Sequence, residues 1–127
     1  FDREVRPLLG PEAEYIGPVD DAGKQGLLAS SAALLFPIDW PEPFGLVMIE
    51  AMACGTPVVA FRRGSVPEIV ENGVTGFVVD TEAEAAEAVE RAAALDRGRV
   101  RARFEERFTA ERMARDYLAI YERLAGR

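Results

Sequence analysis

Two glutamates flank the start of a predicted apolar helix that begins at Leu46. Glu42 lies in the loop WPEPFG before this helix, and Glu50 lies inside it after seven intervening residues. The first N–H groups of a helix lack intrahelical acceptors and favour an anion, so the amides of Phe44, Gly45 and Leu46 form a candidate phosphate site. Since a helix rises about 1.5 Å per residue, Glu50 lies about 7 Å below that site.

Hydroxyl groups are the expected partners of Glu42 and Glu50, because each carboxylate repels phosphate. An ionised carboxylate on a helix as apolar as LVMIEAMA is costly unless hydrogen-bond donors reach it. A ligand with hydroxyls at both ends and phosphate in the middle fits this arrangement, and a sugar nucleotide is such a ligand. The spacing leaves two alternatives open. One is that Glu50 marks the solvent-facing stripe of its helix, and the other is that Glu42 is a surface acid in a proline-rich turn.

Two arginines and a capping motif follow the strand predicted after this helix. Arg62 and Arg63 lie at the ligand side of an open parallel sheet. They are candidates for contact with phosphate or an anionic acceptor, and the alternative is a solvated loop. Ser65 and Glu68 have the Ser-x-x-Glu spacing of a capping box, which predicts a short helix ending near Glu71.

Composition narrows the function classes. The net charge of −7 disfavours nucleic acid and an anionic membrane surface as partners. No apolar run reaches the ~18 residues of a membrane span, and no signal peptide is recognisable. Histidine is absent and no Cys, Asp and Glu cluster has metal-site spacing, so no metal site is predicted. The single cysteine, Cys54, excludes an internal disulfide and favours a cytoplasmic location.

The 127 residues predict one α/β domain over 1–127. Short apolar runs bounded by Gly, Pro or Asp are typical of strands buried on both faces of a parallel sheet. Strands are predicted at 14–17, 33–36, 57–61 and 76–79. Helices are predicted at 24–31, 46–54, 65–71, 82–96, a short stretch up to about 107, and 110–125. This alternation predicts a Rossmann-like parallel sheet flanked by helices.

Local signals predict several helix ends. Gly55 is expected to adopt the left-handed conformation that ends the second helix. Thr81 and Glu84 form another capping box. Gly98 is expected to break the alanine-rich helix, and Thr109 to cap the last one. The last helix carries an apolar stripe along one face, formed by Met113, Tyr117, Ile120, Tyr121 and Leu124.

These strings together carry a family resemblance. The segment from Glu42 through PFGLVMI to Glu50, then AMACGTPVVAF, then GSVPEIVENGVTGFVVD up to Asp80, resembles the C-terminal half of a two-domain glycosyltransferase with the GT-B fold. The likeness is to the large retaining family called glycosyltransferase group 1, or family four. It extends backwards through EYIGPV and LLASSAALLFP, so it covers most of the chain.

The resemblance implies a role for each candidate residue around the helix start. Glu50 is implied to hold the ribose hydroxyls of a nucleotide donor. Glu42 is implied to lie by the donor sugar as the catalytic carboxylate. The amides of Phe44, Gly45 and Leu46 are implied to lie by the diphosphate and the sugar.

The resemblance also implies the rest of the chemistry. The backbone around Pro18 and Val19 is implied to touch the nucleobase. Donors in the family are usually UDP-, GDP- or ADP-sugars, and transfer usually proceeds with retention, without a metal or other cofactor. Pro43 departs from the family pattern, since Gly or Ala is common at that position.

The resemblance further implies that part of the enzyme lies outside this sequence. The first two strands of the C-terminal domain and the whole N-terminal domain are expected but not found, so we expect 1–127 to be a partial nucleotide-sugar-binding domain with a helical tail at about 82–127. Little or no transferase activity is then expected of the chain alone. The last helix is expected to pack partly against the N-terminal domain, and its apolar stripe favours a homodimer when that domain is absent.

Two other function classes stay open. A sugar-nucleotide epimerase or a phosphorylase can use the same architecture with similar carboxylates and helix dipoles. A non-catalytic binding module can keep the fold without the site. Substrate profiling separates the first class from a transferase, and replacement of Glu50 separates the second.

Overall fold

The computed structural model describes residues 2–126 and shows an α/β fold with three parallel strands. The strands are β1 (Leu34–Phe36), β2 (Val58–Phe61) and β3 (Gly76–Val79), in the spatial order β1-β2-β3. The helices are α1 (Asp21–Ser30), α2 (Leu46–Ala53), α3 (Val66–Ile69), α4 (Glu82–Ala93), α5 (Arg97–Arg107) and α6 (Ala110–Leu124), after a 3-10 turn at Arg6–Leu8. The predicted Rossmann-like parallel sheet flanked by helices is confirmed.

The sheet separates two apolar clusters, because alternate residues of each strand point to opposite faces. Val58 and Ala60 of β2 pack on the side of α1, α2 and α5. Val59, between them, packs on the side of α4. All three are almost completely buried, as expected for a strand with helices on both faces. No helix within residues 2–126 has the length and apolarity of a membrane-spanning helix.

The end of α2 follows the sequence prediction. Gly55 has a φ of 73°, in the left-handed region that glycine tolerates best. Its N–H donates to Met52 O, and Thr56 N–H donates to Ala51 O, both at 2.9 Å. These two bonds form a Schellman motif, which satisfies the last carbonyls of the helix.

The start of α4 also follows its prediction, with a small change. Thr81 Oγ1 accepts a hydrogen bond from Glu84 N–H at 3.1 Å. Glu84 reaches back as a capping-box glutamate does, but its Oε2 accepts from Asp80 N–H at 2.8 Å, one residue before the cap. Thr109 caps α6 as predicted, accepting from Arg112 N–H.

The strand predicted at 14–17 is wrong. These residues have no regular secondary structure, and Tyr15 and Ile16 are more than half exposed. A strand satisfies its backbone groups through a neighbouring strand. In the described part of the chain, the sheet pairs only β1 with β2 and β2 with β3, and 14–17 joins neither of the two edge strands.

Three predicted boundaries also differ. Ser65 is the N-cap residue of α3 as predicted, but its side chain makes no cap hydrogen bond, and the helix ends at Ile69 rather than near Glu71. The break expected at Gly98 is wrong, since that residue lies in the first turn of α5. Asp96 makes the boundary instead, accepting from Arg99 N–H at 3.2 Å as the N-cap of α5. In α1, Asp20 is the N-cap, so the helix begins three residues before the predicted Lys24.

Arginines of α5 close the C-terminal ends of three other helices. Arg97 donates to Ser31 O at the end of α1, and Arg101 donates to Ala53 O at the end of α2. Arg107 donates to Ile69 O at the end of α3. A cation at a helix C-terminus is favourable because the carbonyl ends carry partial negative charge. α5 therefore fixes the relative positions of the helices that carry the candidate site.

Glu71 strengthens the attachment of α3 to α5. Its Oε1 lies 2.9 Å from Arg103 Nε and 2.9 Å from Arg107 Nη1. Partial burial acts to raise the pKa of Glu71, but the hydrogen bonds and positive charges of these two arginines outweigh it and hold the pKa below its ordinary value. The carboxylate therefore stays ionised and keeps the segment after β2 in place.

The last helix leaves its apolar stripe uncovered. None of the described residues of α6 is buried. The expected exposure of the stripe is thus confirmed for its five members, Met113, Tyr117, Ile120, Tyr121 and Leu124. The rings of Tyr117 and Tyr121 stack with their centroids 6.3 Å apart.

Candidate functional site

Glu42 lies directly at the start of α2 and is held by two donors. Trp40 Nε1 donates to its Oε2 at 3.0 Å, and Gly45 N–H donates to its Oε1 at 3.3 Å. The hydrogen bond from Trp40, with smaller contributions from the N–H groups of Gly45 and Phe44, lowers the pKa of Glu42 below its ordinary value. The carboxylate is therefore ionised at neutral pH and faces two of the three amides predicted to bind phosphate.

Gly45 is required at the junction between this loop and α2. It is the N-cap residue with a φ of 65°, and it is buried. A Cβ at this position would lie 2.2 Å from Met48 Cε and 3.0 Å from Ile69 Cδ1. The glycine thus lets α2 and α3 approach each other beneath the candidate phosphate site.

The segment after β2 packs against the backbone of Glu42. Ser65 N–H donates to Glu42 O at 2.7 Å. A Cβ at Gly64 would lie 2.3 Å from both the N and the O of Glu42, so only glycine permits this approach. Ser65 Oγ is buried and has no hydrogen-bond partner among the described residues. The loop carrying Glu42 therefore depends on the 64–65 segment.

Glu50 faces α1, where it forms an ion pair. Lys24 Nζ lies 2.7 Å from Glu50 Oε2, and the Glu50 side chain is 39% exposed. The pair borders an open groove of about 280 Å³ lined by residues of α1, α2 and α5. The donor to this carboxylate is thus a lysine, and the position is neither sealed in the core nor directed into open solvent.

The remaining predicted residues lie at the N-terminal ends of α1 and α2. Phe44 and Leu46 are 70% and 64% exposed around the start of α2. Val19 is 44% exposed and immediately precedes Asp20, the N-cap of α1. Lys24, the partner of Glu50, lies four residues after this N-cap, so Val19 precedes the helix that carries the partner of Glu50.

Each of the two candidate arginines has a carboxylate partner. Arg62 Nε lies 3.2 Å from Asp80 Oδ1, and Arg63 Nη2 lies 3.4 Å from Asp39 Oδ1. The first pair is about half exposed on both sides. Exposed pairs of this kind contribute little to stability. The loop therefore fits the solvated alternative.

No group of three or more His, Cys, Asp or Glu side chains within residues 2–126 is arranged to hold a metal ion.

Comparison with known proteins assigns the family. The family model of the group 1 glycosyl transferases matches residues 8–110, which include all the residues of the candidate site. The chain belongs to this family.

Three relatives illustrate what the chain is similar to. The chain is 36% identical over 115 residues to N-acetyl-alpha-D-glucosaminyl L-malate synthase of Bacillus anthracis, covering 84% of this chain and 29% of the relative. It is 39% identical over 108 residues to D-inositol 3-phosphate glycosyltransferase of Mycobacterium bovis, covering 78% and 22%. It is 41% identical over 89 residues to a probable sucrose-phosphate synthase of Thermosipho melanesiensis, covering 65% and 20%. The chain thus spans less than a third of the length of these relatives.

Sequence reasoning missed two residues of this candidate site. Lys24 holds Glu50, and Trp40 holds Glu42. Each is the only residue of its type in the sequence. A residue type that occurs once is a weak signal in the sequence. Only the packing of α1 on α2 shows that Lys24 contacts a carboxylate 26 positions away.

Proposed function

We propose that the full-length protein is a retaining glycosyltransferase and that this chain binds its donor, a nucleotide-diphosphate sugar. One observation carries the proposal: Glu42 accepts from Gly45 N–H at the start of α2, and Glu50, the fifth residue of the same helix, borders an open groove beside α1. The names of the relatives, two of which specify a glycosyl or glucosaminyl group, support sugar transfer.

The donor lies along the start of α2 in this proposal. The ribose hydroxyls donate to Glu50, and the donor sugar lies by Glu42, the catalytic carboxylate. The diphosphate accepts from the N–H groups of Phe44, Gly45 and Leu46, where the helix dipole favours negative charge.

Donor binding then requires a movement of Glu42. In the structure its carboxylate accepts from Gly45 N–H, which is one of the amides the diphosphate needs. Phosphate and carboxylate repel each other, so the Glu42 side chain turns towards the sugar hydroxyls when the donor binds. Catalysis comes from positioning the sugar and from stabilising the departing diphosphate with these N–H groups.

The chain is one part of the proposed enzyme. It forms part of a C-terminal nucleotide-sugar-binding domain, the backbone near Val19 contacts the base, and no metal or other cofactor takes part. An N-terminal domain supplies the acceptor site and covers part of α6, and the enzyme acts in the cytoplasm. Alone, the chain has little or no transferase activity and pairs through α6 with a second copy.

Binding of nucleotide by the Glu50→Ala variant tests this function. Thermal-shift measurements with UDP, GDP, ADP and their sugars identify the preferred nucleotide, since stabilisation grows with ligand excess over Kd. We expect Glu50→Ala to raise Kd by about tenfold or more, because the ribose hydroxyls lose a charged acceptor. The matched control is Glu87→Ala, which removes an exposed carboxylate from α4 on the other face of the sheet and leaves Kd unchanged.

Three results would contradict parts of the proposal. If no nucleotide stabilises the protein at millimolar concentration, the chain is a scaffold without a donor site. If the full-length protein interconverts a sugar nucleotide without transfer to an acceptor, it is an epimerase. Rapid donor-dependent turnover by the isolated chain would refute the proposed inactivity of the chain alone.

A further inference from the structure

We infer that Lys24 is a positioning residue for nucleotide recognition, which fixes the Glu50 carboxylate so that one oxygen is presented to the ribose hydroxyls. This inference rests on the proposed function. It adds a residue of α1 to a site otherwise formed by α2 and the loop before it.

The contact uses only one oxygen of the carboxylate. Lys24 Nζ lies 2.7 Å from Glu50 Oε2 and 4.0 Å from Asp21 Oδ1. No hydrogen bond to Glu50 Oε1 is present among residues 2–126. The Glu50 side chain is 39% exposed and borders the open groove between α1 and α2, so a ligand hydroxyl can reach the carboxylate from the groove. A carboxylate with one oxygen bound has lost much of its rotational freedom without losing its capacity to accept.

The helices that carry the two side chains are fixed to each other. Thr56 Oγ1, just beyond α2, donates to Leu28 O in α1. Arg97 donates both to Ser31 O at the end of α1 and to Thr56 Oγ1. Because α1 cannot slide along α2 while these bonds persist, Lys24 meets Glu50 at a constant position. A flexible glutamate side chain gains from such support, since binding then orders fewer torsions.

A different role for Lys24, neutralisation of Glu50, predicts the opposite change in nucleotide affinity. If Lys24 only neutralised Glu50, it would compete with the ribose hydroxyls for the carboxylate. Removal of the lysine would then strengthen binding. A positioning lysine predicts weaker binding on removal, so the sign of the change decides between the two roles.

The ribose itself provides the decisive readout. Kd is measured for whichever of UDP, GDP and ADP binds most tightly, and for its 2′,3′-dideoxy analogue, which lacks both hydroxyls. We expect Lys24→Met to raise Kd for the ribonucleotide about five- to tenfold and to leave Kd for the dideoxy analogue nearly unchanged. A general loss of folding would weaken both ligands alike. Lys24→Arg is expected to restore most of the discrimination, because it keeps a donor with positive charge.

Controls separate this inference from the proposed function. Arg6→Met removes one positive charge from an exposed ion pair on the 3-10 turn and is expected to leave both Kd values unchanged. If Glu50→Gln abolishes the discrimination and Lys24→Met does not reduce it, the inference about Lys24 is wrong while the proposed function stands. If Glu50→Gln has no effect, or no nucleotide binds, the proposed function fails and this inference fails with it.

A spectroscopic measurement tests the contact without a substitution at Lys24. Since Lys24 is the only lysine in the sequence, ¹³Cε-labelled lysine gives a single side-chain signal from this chain. We expect the ribonucleotide to shift this signal, the dideoxy analogue to shift it much less, and Glu50→Gln to remove the difference. Equal shifts with both nucleotides would overturn the inference.

Discussion

Each glutamate of the candidate site has its own supporting side chain. Glu42 is held by the indole N–H of Trp40, and Glu50 by the ammonium group of Lys24. A neutral donor leaves the net negative charge of Glu42 in place, whereas Lys24 compensates the charge of Glu50. The carboxylate proposed to lie by the reacting sugar is therefore the uncompensated one, and its pKa is lowered by hydrogen bonds against the opposing effect of desolvation.

Replacement of Trp40 by Phe tests this dependence. The variant removes the N–H donor and keeps an aromatic ring, so we expect the pKa of Glu42 to rise towards its ordinary value of 4.5. The rise is incomplete because the N–H groups of Gly45 and Phe44 still lower the pKa. A ¹³C NMR titration of the Glu42 carboxyl group measures the change.

The sign of the accompanying pH dependence follows from the lowered pKa. The stabilisation from ionised Glu42 is complete above pH 4.5 and is lost as pH falls through the lower pKa of the folded chain. Trp40→Phe makes this stabilisation smaller and moves its loss to higher pH. Phe44→Leu, which removes a neighbouring aromatic ring but no N–H group, is the control and leaves the titration unchanged. An unchanged titration in Trp40→Phe would mean that the indole does not set the charge of Glu42.

At the level of elements, local interactions were predictable and long-range ones were not. The predictions at Gly55 and Thr81 are confirmed because each cap is formed by residues within five positions of it. The strand at 14–17 was wrong because a strand depends on a neighbour that local sequence does not reveal. Gly98 has low helix propensity, yet it lies inside α5. Asp96, two residues before Gly98, is the N-cap of this helix, and that cap decided where α5 begins.

The candidate site follows the same rule: its local relations were predictable from the sequence and its long-range contacts were not. The spacing of Glu42 and Glu50 placed both beside the start of α2, since that relation is a property of one helix and the loop before it. The partners of Glu50 and of Glu71 come from other helices, so no local pattern identifies them. Whether the glutamates bind a donor as implied by the resemblance stays a prediction.

The contact between the 64–65 segment and the loop that carries Glu42 predicts unequal effects of two glycine substitutions. Gly64 and Gly73 both have positive φ values, 50° and 79°. A Cβ at Gly64 would strike the backbone of Glu42, whereas one at Gly73 would meet nothing within 4 Å. We expect Gly73→Ala to cost about 1–2 kcal/mol for the left-handed conformation alone. Gly64→Ala is expected to cost about 3 kcal/mol or more, because backbone must also shift.

Urea unfolding of both variants measures the difference. In addition, Gly64→Ala is expected to weaken nucleotide binding, since it displaces the loop that carries Glu42, and Gly73→Ala is not. Equal losses of stability in the two variants would show that the loop contact contributes nothing beyond the backbone conformation.

At the scale of the whole molecule, two of the exposed apolar surfaces within residues 2–126 border grooves. One lies beside β1, where Leu35 is 54% exposed above an apolar groove of about 250 Å³ shared with α4. The other is the stripe of α6, which borders a second groove of about 330 Å³ together with Leu46 and Ile49 of α2. Surfaces of this kind mark sites of association. The second groove begins beside Leu46, so a partner seated there would lie close to the proposed donor site.

Pairing of two copies through α6 is the consequence that can be measured on this chain. We expect light scattering at high concentration to give about twice the mass of one chain, falling to the monomer mass on dilution. Replacing Tyr117 and Tyr121 by Gln removes two aromatic side chains from each copy and is expected to raise the dimer Kd about tenfold or more. Leu8→Gln, at an exposed apolar position outside α6, is the control and leaves the dimer unchanged. A monomer at every concentration, or a dimer whose Kd the two Gln substitutions leave unchanged, would contradict pairing through this face.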